Sequence, residues 1–278
     1  MTEMNGKLQI LVDDTELNLD KTFDCGQAFR WVKQPSGEWV GVVNGKIWVL
    51  EQNNNVIHTN LDKNSEKELV NYLNLDMDYT NKINSLSLTK FELNAYNVAM
   101  GIHILRQDLF ETMVTFLMSS CNTMRNIRSI VNKLCEAYGE DITTEHNKKE
   151  IKQKSFPTLE RLATVSANEF RTFSMGFRAD YLYSMCQRLI NNRSLLDKII
   201  QCNYKDSLRI LKEFTGVGSK VAECIELFSL HHIEAFPIDT HIKAIINKEY
   251  DGAIDLSRFK DVAGVIQQYL FYYKAFNK

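Results

Sequence analysis

The chain has 278 residues, 44% of them hydrophobic, and 33 basic against 35 acidic side chains leave a net charge of −2. That is enough apolar material for a substantial core in two or three lobes, but not the charge of a protein that holds polyanions by bulk electrostatics. Charged residues interrupt every long apolar run, and the opening Met-Thr-Glu-Met-Asn-Gly-Lys lacks the apolar core of a signal peptide, so a soluble intracellular protein is expected.

The first hundred residues carry all three tryptophans and alternate apolar with polar positions. Strand candidates are Lys7 to Leu17, Phe29 to Lys33 and Asn55 to Thr59, and Glu38 to Leu50 reads as two strands around Asn44-Gly45. Both turn residues tolerate positive φ, which makes this a strong hairpin signal. Ser65-Glu-Lys-Glu68 predicts a capping box that opens a helix through about Leu75. From Asp108 the period becomes helical. Asp108 caps an apolar run to Met118, Ile127 to Tyr138 stops at Gly139, Ser166 and Glu169 open another helix, and Ala179 to Ile190 and Ser257 to Phe276 supply two more. Lys148 to Lys154 reads as a basic loop on solvated surface. The expected fold is α+β: an antiparallel sheet domain with helices over residues 1–104, then a helical domain over 105–278. Their net charges are −5 and +3, so the mild basic bias falls on the helical part.

Six cysteines (Cys25, Cys121, Cys135, Cys186, Cys202 and Cys224) stand apart with no Cys-x-x-Cys pair, which argues against a disulfide framework or structural zinc. The densest signal is Leu211-Lys-Glu-Phe-Thr-Gly-Val-Gly-Ser-Lys-Val-Ala-Glu-Cys224 followed by Phe236-Pro-Ile-Asp-Thr-His-Ile-Lys243. Over about 205–230 it reads as helix, tight Gly216-Val-Gly218 turn and second helix, with outward amides where a phosphate binds. Lys220 opens that second helix, where a cation is disfavoured by the dipole, and Asp239 stands at the N-cap of another. By themselves, Lys220 could be a solvated lysine and Asp239 only a cap.

This stretch resembles the helix-hairpin-helix, Gly/Pro-turn and aspartate of one DNA glycosylase superfamily. Thr215 to Cys224, Cys25-Gly-Gln-Ala-Phe-Arg-Trp31 and Ala263-Gly-Val-Ile-Gln-Gln-Tyr-Leu-Phe271 resemble its 8-oxoguanine branch, and the similarity runs from about residue 20 to the end. The resemblance implies that Lys220 attacks the deoxyribose carbon, displaces the base and leaves a Schiff base from which β-elimination follows. It implies that Asp239 stabilises the charge developing on the sugar. His241 would donate to a phosphate, as would the Gly216 and Gly218 backbone.

A backbone carbonyl at Gly26 would meet the N7 hydrogen of 8-oxoguanine, where guanine offers an acceptor. Gln267 and Phe271, at i and i+4, would read and stack on the flipped base, with Cys224 against its other face; for Phe271 and Cys224 core packing is the alternative. Near the opposite strand the chain departs from the branch. Cys121, beside Asn122, replaces an amide, Asn126 stands where an arginine would read the orphaned cytosine, and Phe177 stands for a tyrosine wedge followed by Arg178. These changes predict a weak opposite-base preference.

The expected protein is therefore a bifunctional glycosylase/lyase acting as a monomer on double-stranded DNA containing 8-oxoguanine. It would have no membrane attachment, metal or redox cofactor; no cysteine beyond Cys224 is left for the iron–sulfur loop of some relatives. A monovalent cation in the hairpin stays open. The expected location is cytoplasmic, with the nucleoid if the source is bacterial or archaeal. The competing reading is a non-catalytic DNA-binding protein that uses the hairpin for phosphate contact alone.

Overall fold

A computed structural model describes residues 2–4, 6–12 and 16–276. Its N-terminal part is a six-stranded, wholly antiparallel sheet in the order β1-β2-β6-β5-β4-β3, built from Thr2–Met4, Lys7–Leu11, Val32–Lys33, Trp39–Val43, Lys46–Asn53 and Val56–Thr59 in chain order. The Asn44-Gly45 hairpin forms as expected, with φ of 49° and 74° at its two turn residues. The two outer candidates are shorter than the sequence suggested. Strand β2 ends at Leu11, residues 13–15 of the Lys7 to Leu17 candidate lying outside the described residues, and only Val32–Lys33 of the Phe29 to Lys33 segment pairs. The rest of that second segment turns inward, where Trp31 stacks on Phe23 at 3.9 Å and donates to the Tyr72 hydroxyl at 2.7 Å. Gly41 makes room for it, since a Cβ there would lie 2.4 Å from the Trp31 ring.

Helices α1 (Leu19–Asp24), α2 (Glu66–Tyr72), α3 (Tyr79–Asn84) and α4 (Lys90–Ala99) accompany the sheet. The expected capping box at Ser65 does not form. Asp62 caps a preceding 3-10 turn, accepts from the Asn64 and Ser65 amides and binds the Ser65 hydroxyl, so Ser65 has no side chain left for α2. A capping box appears instead at Thr89 and Glu92, opening α4.

The second part is helical: α5 (Leu109–Leu117), α6 (Met124–Tyr138), α7 (Leu159–Ala163), α8 (Ala167–Arg171), α9 (Arg178–Asn191), α10 (Leu195–Gln201), α11 (Tyr204–Leu211), α12 (Ser219–Ile225), α13 (Thr240–Glu249) and α14 (Ala263–Phe276). In α6 the buried residues Ile127, Ile130, Val131, Leu134, Cys135 and Tyr138 follow helical spacing, Thr123 caps the start and Gly139 the end. The last helix starts later than predicted, because Leu256–Val262 is a 3-10 turn and regular α geometry begins at Ala263.

Lys148 to Lys154 is not a loop. Lys149–Lys154 is strand β8, paired with β7 (Asp141–His146) in a two-stranded hairpin. Ile142 and Ile151 pack on Val40, Val42, Ile47 and Val49, so this hairpin covers the outer face of the sheet. Every residue of β4 is buried as a result. The opposite sheet face packs on Phe23, Trp31, Leu69 and Tyr72. Between the parts, the Gln27 side chain donates to the Thr22 and His103 carbonyls and accepts from the Leu105 amide, while Gln107 donates to the Gln27 carbonyl. Residues 25–27 are thereby held against the helical part. Among the described residues, no helix is long and apolar enough to cross a membrane.

Candidate active site

Helices α11 and α12 flank the Gly216-Val-Gly218 turn, and the two glycines do different things. Gly216 has φ +85°, and a Cβ there would fall 2.3 Å from the Tyr181 ring. Gly218 is extended at φ −81°, ψ −179°, caps α12 without a side chain and has open space where its Cβ would be. The strained backbone is therefore at Gly216 alone, while the bare surface at Gly218 leaves the first amides of α12 open to an anion.

Lys220 lies in the first turn of α12 and is half-buried. Its Nζ donates to Ser119 Oγ at 3.0 Å and lies 5.4 Å from the centre of the Phe116 ring. Ser119 in turn donates to the Phe116 carbonyl at 2.6 Å. Because the single hydroxyl proton is committed there, Ser119 can only accept from the lysine, and the amine is fixed by one of its own hydrogens. Ser119 follows directly on α5, and nothing in the sequence pattern marks it. One turn further along α12, Cys224 is buried; burial pushes its thiol up to about 11, the Lys220 ammonium opposing that rise and the Asp239 carboxylate adding to it. An uncharged thiol thus sits within electrostatic reach of both.

Asp239 caps α13, its Oδ1 accepting from the Ile242 amide at 2.8 Å, and the side chain is half-buried. Since one oxygen is engaged, the other is left for chemistry. His241 is exposed, its ring edge-on to Phe271 at 5.5 Å. Phe271 lies against Gly26, where a Cβ would stand 3.4 Å from the Phe271 ring and 3.0 Å from the Met124 sulfur. Gly26 has φ +83°, so both its conformation and its surroundings call for glycine. Gln267 is 4% exposed and donates to the Pro237 carbonyl at 3.0 Å, leaving its Oε1 buried with no partner among the described residues. A buried amide oxygen without a donor suits a ligand that brings one.

On the opposite-strand side the predicted residues sit between α5 and α6, on the first turn of α6 and at the start of α9. Phe177 is 53% exposed at the start of α9 and packs edge-on to Tyr181, the same ring that underlies Gly216. Arg178 is buried. Its guanidinium donates to the Ser120 and Cys121 carbonyls and to the Met175 carbonyl, and stacks on Phe177 at 4.5 Å. In this structure Arg178 supports the loop that carries Cys121. Cys121 is exposed at φ +49°, Asn122 donates to the Met118 carbonyl, and Asn126 is exposed on the first turn of α6.

The contacts tie Gln267 to the turn before Asp239, and His241 and Gly26 to Phe271, while Arg178 bridges the Cys121 carbonyl and the Phe177 ring. Ser119, Met124, Tyr181 and Gln268 join these residues, and the sequence reading had not singled out any of the four. Gln268 lay inside the quoted C-terminal motif; the other three had no distinguishing signal.

Comparison with known proteins identifies the family. A family model described as "8-oxoguanine DNA glycosylase, N-terminal domain" matches residues 9–113, and one described as "HhH-GPD superfamily base excision DNA repair protein" matches 114–251. The N-glycosylase/DNA lyase of Saccharomyces cerevisiae is 27% identical over 289 residues, covering 92% of this chain and 74% of the yeast protein. The Arabidopsis thaliana N-glycosylase/DNA lyase OGG1 is 31% identical, covering 82% of this chain and 65% of that one. The apo structure of Clostridium acetobutylicum 8-oxoguanine glycosylase/lyase superposes with a TM-score of 0.89 at 31% identity, over 98% of both chains.

Proposed function

The chain belongs to the 8-oxoguanine DNA glycosylase branch of the helix-hairpin-helix superfamily, enzymes of the N-glycosylase/DNA lyase class, and on that footing we propose that it flips 8-oxoguanine out of duplex DNA and excises it through Lys220. The observation that carries this reading is a half-buried lysine in the first turn of α12 and a half-buried aspartate capping α13, with the unpaired Gln267 oxygen on the side chain that holds the aspartate turn and Gly26 against Phe271 of the same helix.

The neutral Lys220 amine attacks the anomeric carbon; the bond to the base breaks and its electrons leave with the purine. The amine loses a proton, the sugar ring opens, and a Schiff base joins Lys220 to the former anomeric carbon. That imine acidifies the neighbouring C2′ hydrogen, and its removal expels the 3′ phosphate. Ser119 aims the amine, since the lysine donates to it and keeps its lone pair for the sugar. The free oxygen of Asp239 faces the positive charge that grows on the sugar as the base departs. The Gly216–Gly218 turn and His241 hold backbone phosphates. On this reading Gly26 tests the flipped base for hydrogen at N7, Gln267 accepts from its Watson–Crick edge, and Phe271 and Cys224 bracket its ring plane. Base release and strand cleavage on an 8-oxoguanine duplex, assayed against an undamaged duplex of the same sequence, test the function. Binding without either reaction would return the chain to the class of passive hairpin DNA binders.

Opposite the lesion the same reading predicts tolerance. A good bidentate contact contributes about 1–3 kcal/mol of base discrimination. Cys121 offers only a weak sulfur donor, Asn126 lacks an arginine fork, and the Arg178 fork already holds three carbonyls. Single-turnover excision from four duplexes that differ in the opposing base should vary by less than roughly tenfold, the scale of one contact or less. A hundredfold preference for cytosine would show that other groups read that base. Phe177 remains as the wedge, because wedging needs bulk rather than hydrogen bonds. Phe177→Ala should slow excision of the paired lesion more than that of the same lesion in a mismatch, where unpairing is already partly done. Equal slowing on both would assign Phe177 to packing on Tyr181.

A further inference from the structure

Two consecutive glutamines on α14 reach two different parts of the site. Gln267 donates to the Pro237 carbonyl, two residues before Asp239, at 3.0 Å. Gln268 donates to the Cys25 carbonyl, one residue before Gly26, at 2.7 Å. Neighbours on a helix point roughly 100° apart, so one turn of α14 ties the base-reading loop and the aspartate turn together although they lie more than two hundred residues apart in sequence.

The Cys25 carbonyl belongs to the peptide that leads into Gly26. On the far side of Gly26, Gln27 is fixed through both its side chain and its carbonyl. Gly26 itself, at φ +83°, has no side chain to define its orientation. Its conformation follows from the held Cys25–Gly26 peptide before it and the anchored residue Gln27 after it, and Gln268, 2% exposed, supplies the anchor on the Cys25 side. That anchor comes from the helix that also carries Phe271, the ring against which Gly26 lies.

We propose that Gln268 is a positioning residue for base selection: by holding the Cys25–Gly26 peptide it sets the direction of the Gly26 carbonyl, and with it the preference for a purine that carries hydrogen at N7. The proposal rests on the assignment of Gly26 as the lesion reader. Without a donor at position 268, the buried Cys25 carbonyl lacks a partner, and the peptide rotates to find one. The glycine allows that rotation, so the carbonyl loses its fixed aim and an acceptor at N7 is less strongly refused. The amine of Lys220, held by Ser119 in the turn after α5, is not involved.

Gln268→Met keeps the length of the side chain and removes the donor. Active enzyme is counted by borohydride trapping on a duplex with a ready-made abasic site, a reaction that involves no base, so any folded fraction suffices. Per trapped equivalent, single-turnover release of 8-oxoguanine and of guanine is measured from otherwise identical duplexes. The ratio of the two rates should fall about tenfold, the scale of one buried polar contact. An unchanged ratio, whether both rates hold or both fall together, would overturn the proposal and leave Gln268 with a packing role. Absence of trapping by the unaltered protein would overturn the lysine reading instead, which separates the two failures.

Discussion

Lys220→Gln should lower single-turnover base release by on the order of 10⁴-fold or more, the scale on which removing a catalytic nucleophile acts. The glutamine amide can still donate to Ser119 Oγ and cover the Phe116 ring, the two contacts that hold the lysine head. The fold should therefore survive, and affinity for 8-oxoguanine duplex should change little. Lys243 of the same motif is exposed on α13. Base release at the wild-type rate by this variant would assign the chemistry to a water molecule and leave Lys220 a supporting cation.

The second large effect is expected at Asp239, where the fold offers a clean separation of roles. Asparagine is as good an N-cap as aspartate, and its side-chain oxygen would still accept from the Ile242 amide. Asp239→Asn thus keeps the cap and removes only the charge. Base release should slow by about 10²–10³-fold, as is typical when one preorganised electrostatic group is lost from a transition state. Binding should weaken far less, because the charge it opposes develops only as the base leaves. Asp239→Ala loses the cap as well, and should add about 1 kcal/mol of instability to the same rate defect. A wild-type rate in Asp239→Asn combined with destabilised Asp239→Ala would confine the residue to capping.

Both residues were legible in the sequence because local rules mark them. Lys220 stands where the helix dipole disfavours a cation, directly after a turn that needs glycine at position 216. Asp239 follows a proline-containing segment and opens a helix. The Asn44-Gly45 hairpin and the buried stripe of α6 were legible for the same reason: period and turn chemistry act over a few residues. What could not be read depends on partners far away in the chain. The β7–β8 hairpin carries only Ile142 and Ile151 as apolar inward residues among charges, and its strand character comes from the sheet face it covers. Ser65 fits a capping-box pattern, but Asp62 lies closer to the true entry of the chain into the turn and takes the hydroxyl. Arg178 follows the wedge in sequence, yet the carbonyls of Ser120 and Cys121, more than fifty residues earlier in the chain, claim its guanidinium. Ser119 and Gln268 make their contacts to Lys220 and Cys25 across 101 and 243 positions of sequence, beyond any periodicity.

The measurement closest to the central claim is borohydride trapping of the unaltered enzyme on a duplex with one 8-oxoguanine, followed by proteolysis and identification of the DNA-linked peptide. Reduction fixes an imine as a stable amine, so only a lysine that has become covalently bound to the sugar is recorded. The expected result is a single cross-linked peptide containing Lys220, formed at the rate of base release. Base release without a trapped species, or a cross-link at any other lysine, would contradict the assignment.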